Sequence, residues 1–196
     1  MSRTLIIYCH PYDKSYNHAV LSRVIETLQA RSEDYELIDL YADRFDPTYS
    51  AEELALYASG QTRDPLVSTY LAAVKRATRL VIIAPIWWND IPAMLKGFFD
   101  KVMKKGDDRA YNSTKFGLRG NLGNIRSAII LTTSTSPTFY LKVFYGNAIK
   151  RVFINATLKQ LRITRVRWRN LGGITSSTES TRSDFLAKAA STIARY

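Results

Sequence analysis

Trp87 and Trp88 stand side by side in a stretch bracketed by Pro85 and Pro92. Flat indoles held between prolines suit a flat, polarisable ring. A second group, His10, Ser15 and Asn17, lies where an apolar run gives way to a helical pattern. Backbone amides at a helix start, with hydroxyl and carboxamide side chains beside them, make a site for a phosphate. A third group, Thr132, Thr133, Ser134, Thr135 and Ser136, offers hydroxyls and backbone donors. Together these residues could recognise an anion joined to a flat heterocycle. Cys9 reads as a small buried hydrophobe rather than a reactive thiol. His18 reads as a first-turn helix residue. One cysteine and two histidines are too few for a structural zinc site, so no metal is expected.

The elements that must position these groups follow from hydrophobic periodicity. Residues 5–8 are continuously apolar, as in a buried parallel strand. Residues 10–16 form a loop, and Asn17 can cap a helix running to about Ala30. Residues 36–40 make a second strand. Ser50-Ala51-Glu52-Glu53 is a capping box opening a short helix that Gly60 ends. Asp64-Pro65 starts another helix, with a cap and a proline in its first turn. Residues 80–84 make a third strand. After the tryptophans, Met94, Leu95, Phe98, Phe99, Val102 and Met103 share one helix face, and Gly106 stops that helix. Residues 107–124 read as irregular. A fourth strand covers 126–132, followed by a polar loop over 133–138 and a helix over about 147–160. A fifth strand covers 163–169, and a last helix covers about 182–195.

The 196 residues are expected to form one domain spanning 1–196. No apolar run approaches the length of a membrane span, so no membrane insertion is expected. The first residues lead directly into a strand and do not resemble a secretory signal. A single cysteine fits a reducing, cytoplasmic setting. The net charge of +11 is compatible with nucleic acid, an anionic ligand, or mere solubility.

Strands alternating with helices argue for an α/β fold with a parallel sheet covered on both faces. Five strands at this length fit the flavodoxin-like three-layer sandwich, with sheet order 2-1-3-4-5. In that order the first, third and fourth strands are neighbours. Their carboxyl-end loops, 10–16, 85–92 and 132–140, therefore converge. A ligand with a phosphate at one end and a flat heterocycle at the other would touch all three, and flavin mononucleotide has that shape. The dinucleotide fingerprint G-x-G-x-x-G is missing after the first strand, which weakens an ordinary Rossmann reading.

The ordered motifs resemble those of the NAD(P)H:quinone oxidoreductase family of flavodoxin-like flavoproteins. H-P-x-x-x-S-x-N is found as His10, Pro11, Ser15 and Asn17. D-L-Y-x-x-x-F-D-P is found as Asp39-Leu40-Tyr41 and Phe45-Asp46-Pro47. P-x-W-W-x-x-x-P-A-x-L-K-G-x-x-D-x-V runs from Pro85 to Val102. A threonine pair with a tyrosine eight residues after its first member is found as Thr132, Thr133 and Tyr140. The resemblance implies that His10, Ser15, Tyr16 and Asn17 hold the phosphate side of the flavin. It implies that Pro85, Ile86, Trp87, Trp88 and Asn89 run along the isoalloxazine edge. Thr132, Thr133, Ser134 and Thr135 would approach its pyrimidine end, and Tyr140 would sit near the substrate as a proton donor.

There are departures. Ser134 and Thr135 stand where relatives usually have glycines, and would narrow the pocket or tilt the ring. Gly146 stands where some relatives carry a histidine, so a tyrosine–histidine relay cannot operate. The loop at 105–111 is longer than usual and would reshape the substrate mouth.

The resulting expectation is a cytoplasmic flavoprotein enzyme. FMN, with FAD as the alternative, would carry hydride from NADPH or NADH through flavin N5 to a quinone, azo or similar acceptor. The resemblance also implies a homodimer. The alternative classes are a flavin-bound regulatory subunit of an ion-efflux system and, less favoured, a nucleic-acid-binding protein. Arg165, Arg167 and Arg169 alternate with Val166 and Trp168, so strict alternation puts the arginines on the face opposite the indole. That reads as a charged edge strand rather than a stacking platform. One tryptophan of the pair at 87 and 88 is expected to pack inward and the other to face the ligand.

Overall fold

The computed structural model describes residues 3–115 and 117–195. Seven strands are found among them. Five form one parallel sheet: β1 (Arg3–Tyr8), β2 (Asp34–Asp39), β3 (Arg79–Pro85), β6 (Ser127–Ser134) and β7 (Val166–Gly172), in the spatial order β2-β1-β3-β6-β7. This is the order expected for a flavodoxin-like sheet, with the last two strands renumbered. Every residue of β3 and β6 is buried. That is why their central segments, 80–84 and 128–131, read as unbroken apolar runs.

Alternate strand residues serve two cores. Leu5, Ile7, Leu80, Ile82, Ala128 and Ile130 pack with Val67, Phe98 and Phe153 on one face. Ile6, Tyr8, Val81, Ile83, Ile129 and Leu131 pack with Val20, Val24 and Phe185 on the other. The first face is covered by α3 (Pro65–Arg76), α4 (Ala93–Val102) and a π-helical segment, Ile149–Leu158. The second is covered by α1 (Tyr16–Gln29) and α6 (Glu179–Arg195). Cys9 is fully buried, and desolvation pushes its thiol up to about 12, consistent with a packing role.

Local signals explain several boundaries. Asp64 accepts a hydrogen bond from the Leu66 amide with proline in the first turn of α3. Ser50 accepts one from the Glu53 amide to open α2 (Ala51–Ala55). α2 ends well before Gly60, which sits in a later turn at φ 69°. α4 likewise ends before Gly106. Other differences are larger. Asn17 does not cap α1; Ser15 does, by accepting from the His18 amide. Residues 107–124 are not wholly irregular, because β4 (Tyr111–Thr114) and β5 (Gly117–Gly120) form an antiparallel hairpin. A short helix, α5 (Thr138–Val143), follows β6. β6 runs on through Ser134, so the first two residues of the expected polar loop are strand. β7 begins at Val166, three residues later than expected.

The F-D-P motif has a packing role. Phe45 is buried against Tyr70 and Phe98. Lys101 of α4 donates to the Asp46 carbonyl at 2.6 Å. Gly97 lets α4 approach this turn closely: a Cβ there would lie 2.3 Å from the Cβ and the carbonyl oxygen of Pro47. Gly97→Ala should therefore destabilise the protein by about 1–3 kcal/mol through overpacking. Urea denaturation measures this, and an unchanged midpoint would show that the Pro47 turn moves aside freely.

Candidate functional site

The carboxyl ends of β1, β3 and β6 meet at a cavity of about 500 Å³. Its size suits a small organic ligand. His10, Ser15, Tyr16 and Asn17 line it from the first loop and the start of α1. Pro85, Ile86, Trp87 and Trp88 line it from the end of β3, and Thr133, Ser134 and Thr135 from the end of β6. Asn89 lines an adjoining hollow with Trp88, Ser134, Thr135, Ser136 and Tyr145. Two expected residues stand apart. Thr132 is buried and turned toward β7, where its hydroxyl donates to Asn170 Oδ1 at 2.8 Å. Tyr140 lies on α5, half exposed, within a surface group of aromatic rings that includes Phe139 and Phe144, and it lines neither hollow.

The first wall is held by a contact across the sheet. Asn17 is 4% exposed, and its Nδ2 donates to Thr133 Oγ1 at 2.9 Å. Its Oδ1 is buried with no hydrogen-bond partner among the described residues. His10 Nδ1 accepts from the Tyr12 amide at 3.1 Å. The neutral ring therefore carries its proton on Nε2, a donor available to a ligand. Burial holds His10 below the usual histidine range, which favours this neutral form. Tyr16 Oη donates to the Arg182 carbonyl at 2.6 Å and ties α1 to α6.

The second wall is a tight turn. Trp87 and Asp90 exchange backbone hydrogen bonds of 3.0 and 3.1 Å. Between them Trp88 (φ 51°) and Asn89 (φ 68°) are both left-handed, as in a type I′ turn. Asparagine tolerates that region, whereas a tryptophan in it carries strain of about 1–3 kcal/mol, of the kind that gathers at functional sites. Trp87 is 43% exposed and Trp88 98% exposed. Neither packs into the core, contrary to the expectation that one would. The Trp87 ring instead lies beside His10, with centroids 6.1 Å apart. Reversal at the turn throws both indoles outward.

Backbone donors converge here as well. The N–H groups of Tyr16, Asn17, Trp88, Asn89, Thr135 and Ser136 make no hydrogen bond among the described residues. The first two are the orphan donors of a helix start, and the other pairs belong to the two turns beside the cavity. Such donors suit phosphate oxygens and the carbonyl or ring-nitrogen acceptors of a heterocycle.

Ile174, Asn170 and Tyr145 belong to the site or its support and escaped sequence reasoning. The pair Gly172-Gly173 before Ile174 was the available signal for a chain reversal there, and Gly173 is left-handed at φ 67°. The loop at 105–111 does not reach the cavity. Its backbone is bound to the hairpin, with the Gly106 amide donating to the Tyr111 carbonyl at 2.8 Å. The basic strand is partly absorbed by the fold. Arg169 Nε donates to Thr192 Oγ1 at 2.6 Å, and Trp168 Nε1 donates to Thr132 Oγ1 at 2.9 Å.

An open parallel sheet with a cavity at the reversal between β1 and β3 defines a doubly wound ligand-binding α/β protein. A family model of the flavodoxin-like fold matches residues 2–196, and the chain belongs to that family. It is similar to NAD(P)H dehydrogenase (quinone) 1 of Cavia porcellus, at 29% identity over 164 residues, which is 75% of this chain and 59% of that protein. The chain thus spans little more than half the length of that relative. It is also similar to an uncharacterized NAD(P)H oxidoreductase of Haemophilus influenzae, at 26% identity covering 87% of this chain and 83% of that protein. Among solved structures it resembles NAD(P)H:quinone oxidoreductase from Methanothermobacter marburgensis, with a TM-score of 0.87 and 27% identity over 98% of this chain and 97% of that one. A Streptococcus mutans protein gives a TM-score of 0.86 and 32% identity over 99% of this chain and 100% of that one.

Proposed function

We propose that this protein is an FMN-dependent NAD(P)H oxidoreductase that delivers hydride through flavin N5 to a quinone, azo or similar acceptor. The observation that carries the reading is one cavity at which a helix start, an aromatic turn and a hydroxyl-rich strand end converge. The relatives named for NAD(P)H and quinone support it. The residues fit the cofactor on their own terms: among the described residues, an unpartnered buried Asn17 Oδ1 and unpaired backbone N–H groups from one helix start and two turns border the cavity and the hollow beside it. FMN, when bound, supplies the two-electron redox chemistry, and the protein supplies orientation and electrostatics.

Ser15, with the amides of Tyr16 and Asn17, would hold the phosphate. His10 would donate from Nε2. The turn at Trp87 to Asn89 would border the ring system, and Thr133, Ser134 and Thr135 would close the other side. Fixed donors in a partly dry site stabilise negative charge as it develops on reduction. Tyr140 is the proposed proton donor to the acceptor, from a place on α5 next in sequence to Leu141, which lines the adjoining hollow. FMN is preferred to FAD because no adenine site is evident among the described residues.

A homodimer is part of the same proposal, with the exposed side chains of Phe139, Val143 and Phe144 as surface available for burial. A cytoplasmic location belongs to it too. Among the described residues no helix is long and apolar enough to cross a membrane.

The test is to load the purified protein with FMN or FAD, remove free cofactor, and add NADPH or NADH without oxygen. Retention of FMN and bleaching of its visible band by either nucleotide are expected. A protein that retains neither flavin would overturn the reading. Retention without reduction would favour the regulatory-subunit alternative.

A further inference from the structure

We propose that Asn170, on the edge strand β7, is a positioning residue for the cavity wall built by Ser134, Thr135 and Ser136. The inference rests on the flavin reading above. Asn170 does not line the cavity, yet its carboxamide is fully engaged and one of its bonds reaches Ser134 in the cavity wall. Nδ2 donates to Ser134 Oγ at 2.9 Å and to Thr138 Oγ1 at 2.9 Å. Oδ1 accepts from Thr132 Oγ1 at 2.8 Å. Ser134 Oγ donates in turn to the Ser136 carbonyl at 2.7 Å, and the Gly173 amide donates to that carbonyl at 3.3 Å.

The serine hydroxyl is therefore engaged both as donor and as acceptor. Asn170 orients it, it orients the Ser136 carbonyl, and the turn carrying the unpaired Thr135 and Ser136 amides is held in one arrangement. A satisfied polar network in a low-dielectric setting rigidifies the backbone that it ties. Donors must be held to within about half an ångström to act on a ligand. The Ser134 hydroxyl is drawn toward β7 by Asn170.

Fixed N–H donors favour whichever form of a ligand carries more negative charge. Loosening them should weaken flavin binding and make the potential of the bound flavin more negative. Asn170→Leu keeps the side-chain shape and removes every side-chain hydrogen bond. Ser134→Ala removes only the tie between Asn170 and the turn. Each should raise the FMN dissociation constant about three- to tenfold, as for the loss of one hydrogen bond. The double variant should be no weaker than the weaker single one, because both act along one path. Fluorescence titration with FMN and dye-equilibrated potentials of the loaded proteins provide the readouts.

If the parent binds no flavin, the functional reading fails and this inference with it. If the parent binds and a folded Asn170→Leu keeps both affinity and potential, the inference alone is overturned. Should Asn170→Leu fail to fold, unchanged affinity and potential in Ser134→Ala overturn it equally. Multiplying effects in the double variant would mean that Asn170 does not act through Ser134, which also overturns it.

Discussion

Ser15→Asp should keep its helix and lose the cofactor. Ser15 caps α1 by accepting the His18 amide at 3.2 Å, and it also borders the cavity. Ser15→Ala would confuse the two roles, because loss of a cap alone costs about 1 kcal/mol. Aspartate caps a helix as well as serine does, so α1 should remain intact. Its carboxylate, however, would face the phosphate. Two unit charges 4 Å apart repel by about 4 kcal/mol at an effective dielectric constant near 20. Allowing for salt and relaxation, FMN affinity should fall roughly thirtyfold to a thousandfold. Thermal melting of the apoprotein should barely change. Riboflavin, which lacks the phosphate, should bind parent and variant alike. An unaltered FMN affinity in Ser15→Asp would place the phosphate away from the start of α1.

Lys104→Met should produce the largest loss of stability. Lys104 Nζ and Glu53 Oε1 are 2.9 Å apart, with side chains only 2% and 8% exposed. Glu53 Oε2 also accepts from the Arg63 amide at 3.0 Å. Burial alone would raise the Glu53 pKa. Hydrogen bonds from Thr62, Lys104 and the Arg63 amide, with the charge of Lys104, outweigh burial and bring it down to about 2.

A depressed carboxylate contributes stability that is fully present above its unfolded value and is lost as pH falls through the folded one. The parent should therefore lose this contribution between about pH 4.5 and 2. Removing the lysine leaves a buried, unpaired carboxylate and should cost about 3–5 kcal/mol at neutral pH. It should also shrink the acid-dependent loss, because the folded pKa of Glu53 then moves back up. Denaturant midpoints across pH measure both effects. The double variant with Glu53→Leu should recover much of the loss, since replacing a whole buried pair costs far less than breaking it. A Lys104→Met protein as stable as the parent would mean that solvent reaches Glu53.

The capping box shows how local and tertiary signals divide. Ser50 caps as its sequence context implies, because a cap needs only neighbours within one turn. Glu53, the other half of the box, turns instead to Lys104, 51 residues away. Nothing within the turn could announce that choice.

The sequence by itself determined the sheet, its order and the three converging loops. Strands buried on both faces must be continuously apolar, and that signature survives in any context. The motifs from His10 to Tyr140 further marked nearly all of the residues that line the cavity. Tertiary structure alone decided the finer assignments. Ser15 and Asn17 are both good caps in isolation. Asn17 is withdrawn from that role because its carboxamide meets Thr133, 116 residues away. The hairpin at β4 and β5 is short and largely exposed, so its strands carry little apolar periodicity, and pairing rather than pattern defines them. The indoles point outward because the backbone reverses between Trp87 and Asp90, a matter of dihedral angles rather than hydrophobicity. Asn170 reads as an ordinary polar residue near a strand end. Its place in the site exists only because β6 and β7 lie in register, Thr132 opposite Asn170, so that Asn170 reaches the side chains of Thr132, Ser134 and Thr138.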